Sequence, residues 1–72
     1  MLIRLLGDFV DPFRIECVFA MHKPDSNGYF VAVGLMSRRV LIDDTLRSKE
    51  DAEAHRDNLA AFINGVLTAA KK

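Results

Sequence analysis

The sequence predicts a two-layer α+β domain, a four-stranded, mostly antiparallel sheet in the order β-β-β-β-α with one long C-terminal helix packed on one face. Three observations predict it. Alternating apolar residues from Phe13 to His22 run into a turn cluster ending in Asn27-Gly28, and the apolar run Tyr29 to Met36 follows, which is the pattern of an antiparallel hairpin. Beyond Ser48, apolar residues recur at helical spacing as far as Ala70. The chain has 72 residues, 50% of them hydrophobic, which fits one domain over 1–72 with one core.

The elements follow in order. Leu2 to Leu6 is branched and apolar, stops at Gly7-Asp8, and makes a first short strand, with Asp11-Pro12 closing the connection. In the second strand, Phe13 to His22, the residues Phe13, Ile15, Cys17, Phe19 and Met21 point one way. Arg14, Glu16, Val18, Ala20 and His22 point the other. Lys23 to Gly28 is a turn in which Asn27-Gly28 supplies positive φ, so the third strand, Tyr29 to Met36, returns antiparallel. Ser37-Arg38 turns the chain again, and Arg39 to Ile42 forms a short fourth strand that Asp43-Asp44 ends. Gly34 offers an alternative, a bulge within one long strand running to Ile42. Ser48 and Asp51 resemble a capping box, Lys71-Lys72 complements the far end of the helix dipole, and a helix spans Lys49 to Ala70. Its apolar stripe is Ala52, His55, Leu59, Phe62, Ile63, Val66 and Ala70.

One helix covers one face of a sheet, so a chain working alone should alternate polar residues onto the other face. The third strand does not. Both of its residue sets are apolar or small. Because Ala32 and Gly34 suit a close helix, Phe30, Ala32, Gly34 and Met36 are assigned to the helix side. Tyr29, Val31, Val33 and Leu35 then form a partner-binding face, extended by Val18, Ala20 and Arg14 on the second strand. The favoured partner is a second copy of the chain, since most soluble oligomers are two-fold homodimers. A track of small helix residues, Ala54, Ala61, Gly65 and Thr68, is a second candidate surface, or a place where the helix sits low on its own sheet.

Chemistry-bearing residues are few. His55 lies in the helix stripe with Asp51 four residues before it, a candidate polar site whose ordinary reading is a histidine hydrogen-bonded to that carboxylate or to the sheet. His22 reads as solvent-exposed beside a turn, and Cys17 as a small core hydrophobe. With a single cysteine there is no internal disulfide, and Cys17, His22 and His55 lack a zinc spacing, so neither metal nor cofactor is expected. No serine has an activating base beside it, and an enzyme is not expected.

Ten Lys and Arg balance ten Asp and Glu, which removes the overall field that concentrates a polyanion. The one basic constellation is Arg38 and Arg39 at a hairpin tip, with Lys23, and it supports an alternative reading as a nucleic-acid-binding module. Three antiparallel strands and a helix opening Ser48-Lys49-Glu50-Asp51-Ala52-Glu53-Ala54 are similar in order to integrase arm-type DNA-binding modules, whose sheet enters the major groove. Those modules carry basic and polar side chains along the sheet, whereas here the face is apolar and includes Glu16. The function expected is therefore a small interaction or regulatory module, a homodimer or a cap on a larger protein. The N-terminal apolar stretch meets Asp8 too early for a secretory segment, and the run Tyr29 to Met36 is far short of the roughly 20 residues of a membrane-spanning helix. A cytoplasmic location is expected.

Overall fold

The computed structural model describes residues 2–70. Its first element is a hairpin of its own: β1 (Ile3–Leu5) pairs antiparallel with β2 (Asp8–Val10), with Leu5 opposite Asp8. The two residues between them, Leu6 and Gly7, have φ of 50° and 80°. That is the mirror-image two-residue turn whose twist matches paired strands. The expected four-stranded sheet is thus corrected. The N-terminal strand turns back on Asp8–Val10, a strand too short to leave a pattern in the sequence, and the main sheet has three strands. A single 3-10 turn, Pro12–Arg14, follows, with the Asp11 carboxylate accepting from the Phe13 amide at 3.0 Å.

The sheet is β3 (Ile15–His22), β4 (Tyr29–Leu35) and β5 (Val40–Arg47), in that order and antiparallel throughout. Between β3 and β4 the left-handed residue is Asp25, φ 63°, and not Asn27 or Gly28. Gly28 answers a different need. A Cβ there would stand 2.7 Å from that of Leu46. Ser37-Arg38 does turn the chain between β4 and β5, with Arg38 at φ 69° and the Arg38 amide donating to the Leu35 carbonyl at 2.9 Å. Asp43-Asp44 does not end the sheet. The Asp43 carboxylate takes up the Thr45 amide at 3.1 Å, the strand bulges there, and pairing resumes at Arg47 opposite Tyr29.

The helix α1 spans Lys49–Ala70, as expected, and Ser48 caps it by accepting the Asp51 amide at 3.1 Å. Lys71 and Lys72 lie outside the described residues. Ala52 and Ile63 are buried, and Leu59 and Leu67 pack against the core. Phe62, expected in the stripe, is half-exposed, because the buried line steps through Leu59, Ile63 and Leu67 at one side of it.

The core is Leu5 and Val10 from the hairpin, Val33 and Leu35 from β4, Leu41 from β5 and Ile63 from α1. An Asp8–Arg39 ion pair ties the hairpin to the β4–β5 turn. A helix of 22 residues is about 33 Å long, more than a three-stranded sheet can cover, and the molecule measures 43 × 22 × 17 Å. Its accessible surface is 5004 Å², against about 4500 Å² for a compact monomer of this mass.

Candidate functional site

The face of the sheet away from α1 is apolar on all three strands. A bulge on β3 between Ile15 and Cys17 sets this up. With one extra residue there, Ile15 and Val18 both turn toward the helix, where they pack against the core. Cys17, Phe19 and Met21 therefore project from the open side. Register then aligns the rows Cys17–Gly34–Val40 and Phe19–Ala32–Ile42, with Met21 opposite Phe30. Met21, Val40 and Ile42 are each about half-exposed, at 50%, 48% and 55%. Between the large side chains of the outer strands, β4 contributes a floor of small residues. Ala32 is fully covered by its neighbours although, among the described residues, no further layer lies above it, and a Cβ on Gly34 would meet the Cys17 sulfur at 2.8 Å. The result is a trough. At one end Phe30 and Ile42 share a shallow hollow of about 180 Å³ with Lys23 and Asp44, the opposed charges at its rim.

This inverts the faces expected from the sequence. Val31, Val33 and Leu35 lie in the core beneath α1 and are not partner-binding residues. Val18 and Ala20 share their face, aligned with Val33 and Val31, and Tyr29 is half-buried edge-to-face with His22 at 5.1 Å. Arg14 stands outside the sheet in the 3-10 turn, 3.9 Å from Asp11. The physical reason lies in packing. The helix meets branched side chains that fill the layer between it and the sheet, while Ala32 and Gly34 make room for Phe19, Cys17 and Ile42 on the other side. The open-face residues that sequence reasoning missed, Val40 and Ile42, carried a signal in their alternation with Leu41.

Cys17 is corrected from core to exposed. His55 is half-buried and bonds Asp43 on β5, Nε2 to Oδ2 at 3.1 Å, and not the expected carboxylate of Asp51, an exposed residue of the first helical turn. Arg47 donates to the same Asp43 oxygen at 3.1 Å. Burial pushes the Asp43 carboxyl up, but the Thr45 amide and hydroxyl and the Arg47 guanidinium outweigh it and hold Asp43 below its ordinary value. His22 is exposed, as expected. The basic residues do not form one patch. Lys23 lies at the β3–β4 turn, Arg38 and Arg39 lie at the opposite end of β4, and Arg39 is paired with Asp8. Gly65 on the helix has open space where a side chain would be, so its lack of a side chain serves no close approach among the described residues.

Among the described residues, no three His, Cys, Asp or Glu side chains gather as metal ligands, and no helix is long and apolar enough to cross a membrane. No family model, curated protein or solved structure matches the chain.

Proposed function

We propose that this chain is a non-enzymatic protein-interaction module of the accessory or regulatory kind, working in the cytoplasm as a homodimer in which the open sheet faces of two copies pack together. The single observation that carries this reading is the trough itself, an uncovered face on which Phe19, Met21, Phe30, Val40 and Ile42 surround the small floor of Ala32 and Gly34. Such a surface costs free energy in water and is relieved by burial against another apolar face. Three features favour a second copy as the occupant. The chain has no net charge, so two copies do not repel. A two-fold axis makes any patch meet itself, and large side chains beside a small floor supply both the ridges and the groove that such a contact needs. Lys23 and Asp44 give the rim one charge of each sign, the requirement for ion pairs across a two-fold. The histidine–carboxylate contact is accounted for structurally, since His55 and Asp43 join α1 to β5.

Sedimentation equilibrium tests the reading. The unaltered protein should associate at micromolar concentrations, and Ile42→Lys, a change at a half-exposed position, should keep the helical signal while lowering the assembled mass. A monomer from micromolar to millimolar concentration would overturn it.

A further inference from the structure

The two edges of the sheet are guarded differently. On β5 the charged residues Asp43, Asp44 and Arg47 and the bulge between them interrupt the strand, which is how edges are kept from pairing with other strands. On β3 the bulge and the charged Glu16 sit at one end, and Cys17 to Met21 then run without a charge, a proline or a break in register. The backbone direction of each residue on β3 follows from two hydrogen bonds. Lys23 donates to the Gly28 carbonyl at 3.0 Å, and Met36 donates to the Arg14 carbonyl at 2.8 Å. Because antiparallel pairs alternate, Cys17, Phe19 and Met21 turn their N–H and C=O groups toward β4. Val18, Ala20 and His22 turn theirs away from it. Of the helix residues beside the start of β3, Ala60, Ile63, Asn64 and Leu67 line a groove of about 230 Å³ with Ile15 to Val18, so the helix does not pack flush against this end of the strand.

We infer that β3 pairs antiparallel with β3 of a second copy about a two-fold axis at Ala20, placing Ala20 opposite its own counterpart and Val18 opposite the His22 of the other copy. This register uses all three outward residues. A shift of the axis to Phe19 would bring Glu16, in the bulge, opposite His22 and lose a regular pair. Pairing the edges joins two sheets into one of six strands, with both open faces on the same side. The inference rests on the proposed function, and it enlarges the area of that contact. One three-stranded face is about 14 Å by 24 Å, on the order of 340 Å², less than half of the roughly 800 Å² per partner in a stable interface. A six-stranded face doubles it, and two such sheets packed through their troughs close into four chains with perpendicular two-fold axes.

The test is amide hydrogen exchange on the unaltered protein, in a dilute sample and in a concentrated one whose mass is fixed by sedimentation. The amides of Val18, Ala20 and His22 should exchange at least tenfold more slowly in the concentrated sample, and Ala20→Pro, which removes an outward donor and spares the bond ladder to β4, should lower the assembled mass below four chains and weaken association at a given concentration. An associated protein in which these three amides exchange at one rate at both concentrations overturns the edge pairing and leaves the face contact standing. A protein that remains monomeric overturns both. If Ala20→Pro does not fold, the exchange pattern decides alone.

Discussion

Strand β4 has two apolar faces that differ in kind. Toward α1 it presents Val31, Val33 and Leu35, covered by the helix and the N-terminal hairpin. Away from α1 it presents Phe30, Ala32 and Gly34, covered only by the side chains of adjacent strands. Ala32 is as inaccessible as Val33, both at 0%. Accessibility therefore does not separate the faces. What separates them is the cover. Val33 is roofed by elements that come from far along the chain and fold with it, whereas Ala32 is flanked in register by Phe19 and Ile42, single side chains on the adjacent strands.

The sharpest way to break the comparison is to place the same charge on each face. Val33→Lys should abolish folding, since an unpaired buried ammonium costs several kcal/mol, about the entire stability of a small domain. Ala32→Lys should fold, losing about 1–3 kcal/mol as Phe19 and Ile42 are displaced and the ammonium reaches water. Circular dichroism with urea titration separates the two. A folded Val33→Lys protein together with an unfolded Ala32→Lys protein would restore the faces expected from the sequence.

A smaller effect tests the trough floor. Gly34→Ala sets a methyl group 2.8 Å from the Cys17 sulfur and should cost about 1 kcal/mol or more. Adding Cys17→Gly should return most of that loss, a coupling that a double-mutant cycle reads directly. Additive losses would mean that the sulfur does not lie over the glycine.

The smallest effect lies on the helix side, at Asp43. Its carboxyl is held below the ordinary value near 3.8, so the stability it contributes is present above that value and is lost as pH falls through the lower folded value. Asp43→Asn should cost about 1 kcal/mol at pH 7 and flatten the acid limb of the stability profile, as measured by urea midpoints from pH 7 to pH 2. A variant with the acid limb unchanged would remove Asp43 from the account.

The class of fold was legible because it rests on local signals: the alternation of β3, the turn residues after it, and Ser48 and Asp51 at the head of a helical stripe. The orientation of the sheet was not. It depends on a bulge beside Glu16, and one extra residue reverses every side chain beyond it while leaving the alternation intact. The alternation from Phe13 to Met21 looks continuous for that reason, and so Ile15 and Cys17 were read as sharing a face. The contact of His55 with Asp43 joins residues twelve apart across a strand bulge, whereas Asp51 stood at helical spacing and drew the inference. Val40 and Ile42 were readable in principle. The stop expected at Asp43-Asp44 cut only the far half of the strand, since an aspartate can stay in a strand when a bulge lets its carboxylate satisfy the next amides.

The placement of the N-terminal hairpin bears on how the chain is made. Leu5 and Val10 are synthesised early, yet their core neighbours include Leu41 and Ile63, and Ile63 is added more than fifty residues after Val10. At about 5–20 residues per second, several seconds pass between the first event and the last. A two-stranded hairpin is marginal by itself in water. During that interval the growing chain carries Leu5 and Val10 uncovered, held near each other only by the Leu6-Gly7 turn, and they are roofed only when the second half of the helix has been translated.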